Sequence, residues 1–183
     1  MQAKDYLHSY QPIASEEHVY LTMMLDFLNA HNNAFLRSCH LGHFTASAWI
    51  INASCSKGLL MHHRKLNKWL QCGGHCDGDD NLARVAMKEA TEESGISDLR
   101  LLNDAVFDID IHLIPQRLQE PSHYHFDVRF LLQEDDDTRL QKNSESNELQ
   151  WVDLHNISAY TKENSILRMV RKTLNMTETQ TCG

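Results

Sequence analysis

The chain has 183 residues, a length typical of one domain, and its hydrophobic fraction of 42% is enough for an ordinary packed core. The formal net charge is −8 with histidine neutral, so the surface repels phosphate polymers and disfavours DNA or RNA as a partner. A small phosphorylated ligand is compatible with this charge, because a bound cation reverses the sign of the local field.

Targeting signals and cysteine usage both bear on location. No apolar run approaches the roughly 20 residues that span a bilayer, and the polar residues 1–10 lack a signal-peptide core, which argues against a membrane partner. The five cysteines are odd in number and irregularly spaced, a pattern typical of free thiols in a reducing compartment. The sequence therefore predicts a cytoplasmic protein, either a monomer or a homodimer.

The first half of the chain predicts one helix and two strands. The helix covers residues 15–31, where Ser15 is placed to cap it. Its apolar stripe at helical spacing is formed by Val19, Met23, Asp26, Phe27 and Ala30. Strands follow at residues 43–52 and 59–62, joined by a turn at Lys57-Gly58. Gly73-Gly74 then opens a loop rich in turn residues.

The second half predicts a central helix at residues 81–94, with Gly95 placed to cap its C-terminus. The remaining elements are alternating strands at 106–114 and 123–132, a polar surface loop at 134–147, a strand at 149–152 and a helix at 164–174. This order predicts an α+β fold in which a central mixed β-sheet lies between helices. Residues 1–38 are predicted to form an N-terminal helical extension to a domain at 39–183.

The central helix carries the strongest functional signal. Glu89, Glu92 and Glu93 have i, i+3, i+4 spacing, so their carboxylates converge on one side, at the edge of the face that packs inward. Carboxylates in the last helical turn oppose the helix dipole at roughly 0.3–1 kcal/mol each. A hard cation would compensate this cost, and Mg²⁺ or Mn²⁺ suits an all-oxygen set of ligands.

Residues 74–96 resemble the Nudix box, G-x5-E-x7-R-E-U-x-E-E-x-G-U, with matching spacing throughout. Three positions depart from the pattern: Asp80 replaces a glutamate, Lys88 replaces an arginine, and Ala90 is a small apolar residue where a larger aliphatic one is common. The resemblance implies a Nudix-like α/β/α sandwich. It also implies metal-dependent cleavage of a phosphoanhydride in a small nucleotide-like substrate, either a nucleoside diphosphate linked to another moiety or a nucleoside triphosphate.

The resemblance further implies residue roles. The metal, Mg²⁺ or Mn²⁺, is bound by Glu89, Glu92 and Glu93, with the Gly74 carbonyl as a further ligand. Lys88 keeps the charge of the family's arginine but lacks the planar fork that holds a carboxylate through two hydrogen bonds. The general base is one of three carboxylates: Glu92, Glu145 and Glu148.

Two predicted strands carry polar side chains in alternation. On the first these are Asp108, Asp110 and His112, and on the second His123, His125, Asp127 and Arg129. If the strands are neighbours, this face is either an ordinary solvated face or a substrate wall, in which Arg129 binds phosphate and His125 contacts ribose or base. Arg64, in a basic segment at 62–65, is a further phosphate ligand or part of a basic surface turn.

Other chemistries are less well supported. Cys72, His75 and Cys76 lie within five residues without a second distant pair, which makes a poor structural zinc site. Isopentenyl-diphosphate isomerase shares the Nudix fold and has a metal-binding histidine where His75 stands, but its cysteine lies where this chain has Gly73. A non-catalytic Nudix-like sensor of a nucleotide metabolite is the other alternative, and the intact glutamates argue against it.

Overall fold

A computed structural model describes residues 1–117, 120–134 and 140–180 of the chain. The helices are α1 (Ala3–Ser9), α2 (Ser15–Ala30), α3 (Leu82–Ser94), α4 (Ile157–Tyr160) and α5 (Asn164–Gln180), with a 3₁₀ turn at Leu154–Asn156. The strands are β1 (Gly42–Asn52), β2 (Lys57–His63), β3 (Lys68–Leu70), β4 (Cys72–His75), β5 (Arg100–Ile114), β6 (His123–Glu134) and β7 (Ser146–Asp153). No helix in this part of the chain is long and apolar enough to cross a membrane.

The strands form one seven-stranded sheet. Its hydrogen-bonded order is β3-β2-β1-β6-β5, and β4 pairs with β1 while β7 pairs with β2. Strand β2 runs antiparallel to its neighbours β1, β3 and β7. Strands β5 and β6, predicted from their polar alternation, are adjacent. The α+β class, with a mixed sheet and flanking helices, is confirmed.

Contacts within the chain divide it into two compact units. The first unit comprises Met1–Ser47, Gly73–Ala86 and Asp104–Phe130. The second unit comprises Ala48–Cys72, Met87–Asn103 and Leu131–Gly183. The long elements β1, α3, β5 and β6 each contribute residues to both units.

In the first unit, the two N-terminal helices pack through aromatic side chains. Tyr6 of α1 meets Phe130 edge-on, with ring centroids 5.1 Å apart. Phe27 of α2 stacks on Phe126 at 4.2 Å. Aromatic pairs of this kind add to the free energy gained by burial. The predicted helix at residues 15–31 is confirmed as Ser15–Ala30, and Phe27 is one of its packing contacts.

Two details predicted for α2 were wrong. Its first turn is capped by Glu17, whose carboxylate accepts hydrogen bonds from the backbone amides of Ile13 and Ala14 at 3.0 and 2.8 Å. Glutamate at the third helical position captures free amides in this way, so Ser15 is not needed as the cap. Val19 and Met23 are exposed. The helix turns a different side inward, on which Glu17 and Met24 are buried.

In the second unit, the core of β2 is completely apolar. Leu59, Leu60 and Met61 are buried, and the Trp49 indole donates a hydrogen bond to Thr173 of α5 at 3.0 Å. Gly58 lies beneath this tryptophan, since a Cβ there would come within 2.7 Å of the indole ring. The glycine therefore serves close packing within a strand.

The predicted turn at Lys57-Gly58 was therefore wrong, because both residues belong to β2. The turn lies at residues 53–56. The Asn52 side chain stabilises this turn by accepting hydrogen bonds from the amides of Ser56 and Lys57 at 3.0 and 2.9 Å. Asparagine commonly stabilises turns by bonding to backbone amides downstream.

Strand boundaries also differ near the predicted site. Gly73 and Gly74 lie in the short strand β4 instead of opening a loop. The close approach of β4 to β1 accounts for this, because a Cβ at Gly73 would lie 2.7 Å from the Ser47 Cα. Strand β7 begins at Ser146, so Glu148 is a strand residue and not a loop residue. The predicted loop at 134–147 includes residues 135–139, which lie outside the described residues.

Candidate active site

Helix α3 presents its three glutamates at graded depths. Its inward side is apolar, with Leu82, Ala86 and Ala90 fully buried. Glu93 is only 3% exposed, whereas the side chains of Glu89 and Glu92 are 19% and 56% exposed. These exposures agree with the predicted position of the glutamates at the edge of the face that packs inward, while convergence of their carboxylates stays a prediction.

Lys88 lies between two of these carboxylates. Its Nζ is 3.2 Å from Glu89 Oε1 and 3.4 Å from Glu92 Oε2. Its hydrogen bond to Glu89, followed by their charge attraction, raises the pKa of Lys88 above its ordinary value. The ammonium group is 60% exposed, so solvent screens these pairs and their contribution to stability is small. Their effect is mainly to orient the two glutamates.

The side chain of Cys72 contacts the buried carboxylate of Glu93. Burial, reinforced by Glu93, raises the pKa of the Cys72 thiol well above its ordinary value. The thiol therefore stays protonated at neutral pH and can donate its hydrogen bond to the Glu93 carboxylate. In the sequence, the spacing of Cys72 from His75 and Cys76 suggests only a poor zinc site. A cysteine at the start of a buried strand just before the glycine pair was the signal for this other role.

The C-terminal end of α3 is closed by a second segment of the chain. Gly95 has φ +74° and donates its backbone amide to the Thr91 carbonyl at 2.9 Å, which confirms its predicted capping position. The Gln141 amide donates to the Ser94 carbonyl at 2.8 Å. A Cβ at residue 95 would come within 3.0 Å of the Gln141 carbonyl oxygen. Only glycine therefore fits between the helix end and this segment.

The later base candidates and the basic segment lie together at the C-terminal end of β2. The amide of Arg64, in the turn between β2 and β3, donates to the Glu145 carbonyl at 2.8 Å. Both side chains are exposed. Glu148 is exposed on β7, where it pairs with His62 of β2. Among the hydrogen bonds and ion pairs of the described residues, none joins Glu145 or Glu148 to Glu89 or Glu92.

In the first unit, the polar face of β5 and β6 encloses a buried ion cluster. Arg129 is 2% exposed and donates through Nε to Asp127 at 2.7 Å, through one NH₂ to Asp108 at 3.2 Å and through the other to Asp110 at 3.3 Å. Asp127 also accepts hydrogen bonds from two hydroxyl groups of β1. The three aspartates hold the pKa of Arg129 above its ordinary value in spite of burial.

This arrangement contradicts the solvated-face interpretation, because three of the four charged residues in the cluster are almost completely buried. Strand alternation identifies a shared face but not the medium that it faces. A guanidinium bound on all three nitrogens by neighbouring carboxylates is not directed at a ligand. Phosphate binding by Arg129 stays a prediction that this geometry does not favour.

Five histidines gather beside the ion cluster. This histidine cluster consists of His43, His75, His112, His123 and His125, whose rings lie 4.9–5.4 Å apart in successive pairs. Burial, with smaller contributions from the neighbouring histidines, lowers the pKa of one member, His125, to about 2. The predicted contact of His125 with ribose or base stays untested, and its observed neighbours are other imidazoles.

Comparison with known proteins identifies the family of the domain that contains these residues. A family model described as the NUDIX domain matches residues 43–173, well over half of the chain. The chain belongs to the Nudix family. The match begins in β1, so α1 and α2 precede the part shared with the family. No match was found among the curated proteins compared with the chain.

Solved Nudix structures share the fold at low sequence identity. The Ap4A hydrolase of C. elegans, as a binary complex, has a TM-score of 0.59 at 16% identity, with 74% of this chain and 97% of that chain covered. The dihydroneopterin triphosphate pyrophosphohydrolase of E. coli has a TM-score of 0.59 at 16% identity, with 72% and 95% covered. A NUDIX-family hydrolase from Clostridium perfringens has a TM-score of 0.55 at 22% identity, with 73% and 97% covered.

Within this Nudix box, the two charge departures have distinct surroundings. Asp80 is half-buried, and its neighbour Asp79 accepts two hydrogen bonds from the Arg84 guanidinium at 2.7 and 2.8 Å. Lys88 makes single contacts with two glutamates, as a compact ammonium must. Lys88 therefore keeps ion pairs with box glutamates, whereas the ion pair beside Asp80 is made by its neighbour Asp79 with Arg84.

Proposed function

We propose that this Nudix protein is a metal-dependent hydrolase. Its substrate is a small nucleotide-like molecule, either a nucleoside diphosphate linked to another moiety or a nucleoside triphosphate, and the bond cleaved is a phosphoanhydride. The observation that carries this proposal is the row of three glutamates on α3, of which Glu93 is buried and hydrogen-bonded by Cys72. Membership of the Nudix family supports it.

The residues present fit a hard divalent cation. Three carboxylates on one side of a helix offer the oxygen ligands that Mg²⁺ and Mn²⁺ prefer. Lys88 contacts Glu89 and Glu92 at the exposed part of this set, while Glu93 is its buried member. Glu89, Glu92 and Glu93 are therefore the proposed ligands, with the Gly74 carbonyl added by its position in the box. When bound, such a cation neutralises diphosphate oxygens and acidifies water.

The chain's own residues have complementary roles around this helix. Cys72 fixes the orientation of Glu93 through its thiol, as hydrogen bonds to metal-binding side chains generally do. Lys88 restrains Glu89 and Glu92. Glu92, the most exposed of the three, is the proposed base that takes a proton from the attacking water. Glu145 is the alternative base.

Arg64 is the proposed phosphate ligand. It is exposed in the turn between β2 and β3, and its backbone is held by the Glu145 carbonyl. Its planar guanidinium can donate two parallel hydrogen bonds to one phosphate group. The buried ion pairs of Arg129 make Arg64 the better candidate of the two.

A reducing compartment such as the cytoplasm is part of the proposal. The described cysteines Cys39, Cys55, Cys72 and Cys76 are all free thiols. The function proposed for Cys72 needs the thiol in its reduced, protonated form. Both features favour an environment in which disulfides do not form.

A phosphate-release screen tests the function. The full chain is incubated with nucleoside triphosphates, dinucleotides and nucleotide sugars plus Mg²⁺, and products are followed by ³¹P NMR. We expect cleavage of at least one substrate, its loss on chelation and its return with Mg²⁺ or Mn²⁺. The matched variants are Glu93→Gln, which should lose activity, and Glu120→Gln, an exposed control outside the box.

The same screen separates the alternatives. Isopentenyl diphosphate in a parallel reaction would show a shifted double bond if the protein were an isomerase. Absence of product from every substrate, with folded protein verified by circular dichroism, would contradict hydrolysis of these substrates and favour the sensor interpretation. Near-normal cleavage by Glu93→Gln would argue against Glu93 as a catalytic metal ligand.

A further inference from the structure

The histidine cluster contains three nitrogen ligands at metal-binding distances. One ring nitrogen each from His43, His123 and His125 lies within 4.8 Å of the other two. The Nε2 atoms of His123 and His125 are 3.2 Å apart. A tetrahedral Zn²⁺ with bonds of about 2.0–2.1 Å holds its nitrogen ligands about 3.4 Å from one another. The observed pair is therefore already close to the separation that this ion imposes.

His43 supplies an independent observation. It is 3% exposed, and among the described residues neither ring nitrogen makes a hydrogen bond of normal geometry, with only the Cys39 backbone acting weakly on the ring. Buried polar groups in folded proteins are nearly always bonded, so an imidazole left this way needs an explanation. Its ring is 4.9 Å from both His123 and His125, measured between centroids. A cation between the three rings would bond to a nitrogen that otherwise makes no hydrogen bond of normal geometry.

The surroundings of His123 orient its other nitrogen towards the cluster. His123 Nδ1 is 2.9 Å from the Pro121 carbonyl, which can only accept, so Nδ1 carries the proton. In the neutral ring Nε2 then has a free electron pair, and this is the atom that faces His125. Metal-binding histidines typically donate their second N–H to a carbonyl or carboxylate in this manner.

We propose that His43, His123 and His125 bind one divalent transition-metal ion, Zn²⁺ by preference. Imidazole nitrogens favour zinc over Mg²⁺, which prefers oxygen ligands. His75 is the nearest further ligand for the fourth position, with its ring 5.1 Å from His43 and 5.0 Å from His125. This site shares no residue with the glutamates of α3, so it does not depend on the proposed hydrolase function.

Zinc binding to the untagged full chain tests the proposal. Protein stripped with a chelator is returned to buffer with saturating Mg²⁺ and titrated with Zn²⁺ by calorimetry. We expect one tightly bound equivalent, and a loss of affinity on the order of 100-fold in His125→Asn, since ligand removal should cost at least as much as loss of a supporting residue. The matched control is His18→Asn, an exposed histidine outside the cluster, which should bind like the parent.

Two further variants keep the result decisive. Glu93→Gln should retain zinc binding, which separates this site from the proposed catalytic one. Circular dichroism shows whether His125→Asn folds. If it does not, His123→Asn is used in its place, because His123 is a half-exposed residue of the histidine cluster. When Co²⁺ is bound in place of Zn²⁺, the parent should show the intense visible absorption bands of tetrahedral coordination. The cluster variant that folds should lack these bands. Absence of tight binding, or equal affinity in the parent and the folded cluster variant, would overturn the proposal.

Discussion

The backbone amide of Gln141 donates a 2.8 Å hydrogen bond to the carbonyl of Ser94, the last residue of helix α3. This contact joins the segment that precedes β7 to the end of the helix that carries the glutamates. It also bonds a carbonyl that the helix itself leaves free at its C-terminus. Gly95, the next residue, leaves the space that Gln141 occupies.

Gly95→Ala should lower both stability and activity. The left-handed backbone at φ +74° costs a non-glycine residue about 1–2 kcal/mol, and the new Cβ would displace Gln141. The control is Gly78→Ala, which also has positive φ, at +95°, but meets only the flexible end of Leu36 at 3.2 Å. Urea unfolding should show a larger loss for Gly95→Ala, and equal losses would mean that the Gln141 contact adds nothing.

Glu93→Gln and Glu92→Gln should each lower kcat at least tenfold, because loss of a metal-binding carboxylate weakens charge stabilisation in the transition state. Comparison with Glu145→Gln identifies the base, since the variant that lacks it should lose more and should also lose the acidic limb of the pH–rate profile. The assay uses the best substrate of the screen, with Glu120→Gln as control. If Glu92→Gln and Glu93→Gln both kept near-normal turnover, these glutamates would not be the catalytic metal ligands.

Lys88→Arg should leave kcat/KM unchanged or raise it. An arginine at this position can hold a carboxylate through two parallel hydrogen bonds, whereas Lys88 makes single contacts at 3.2 and 3.4 Å. The side chain is largely exposed, so the larger group has room. Steady-state kinetics would contradict this expectation if the variant lost more than tenfold.

Cys72→Ala should need a higher concentration of Mg²⁺ to reach half of its maximal turnover. Without the thiol, Glu93 loses a hydrogen bond that orients it, so the concentration of Mg²⁺ for half-maximal rate should rise roughly 10-fold. Cys72→Ser supplies a hydroxyl donor and should recover part of this loss. Cys55→Ala, which changes a half-buried thiol outside the site, is the control. A purely structural Cys72 would lower stability without changing the Mg²⁺ dependence.

Arg129→Ala should destabilise the fold by about 3–5 kcal/mol, because it leaves buried carboxylates without their cation. Arg37→Ala is a matched control, since Arg37 also donates two hydrogen bonds to an aspartate, Asp77, but at the surface. Its loss should change stability little. Unfolding by urea measures both. A stable Arg129→Ala variant with a tenfold higher KM would instead support the original phosphate-binding prediction.

The sequence predicted the features that depend on local spacing. The i, i+3, i+4 glutamates, their position beside a buried face and the Gly95 cap all follow from helix geometry, and the structure confirms them. The box pattern led to the family because its residues are close together in the chain. Alternation also predicted strands β5 and β6, but it left open whether they are neighbours, as the structure shows them to be.

Features that depend on distant contacts could not be predicted. The burial of Arg129 requires β1, β5 and β6 to place hydroxyl groups and aspartates around it, which alternation alone does not specify. Cys72 meets Glu93 because a strand and a helix approach each other. Gly58 was interpreted as a turn residue, since nothing local shows that Trp49 covers it.

The ion cluster of β5 and β6 also constrains how these strands can change in evolution. One arginine, Arg129, serves three aspartates, Asp108, Asp110 and Asp127. A substitution of the arginine alone would leave three negative charges in the interior without this cation. Selection should therefore act strongly against replacing the arginine before the aspartates. The four positions are therefore expected to be inherited as a block. In Nudix domains without a basic residue at this position, the three acidic positions should have become neutral as well.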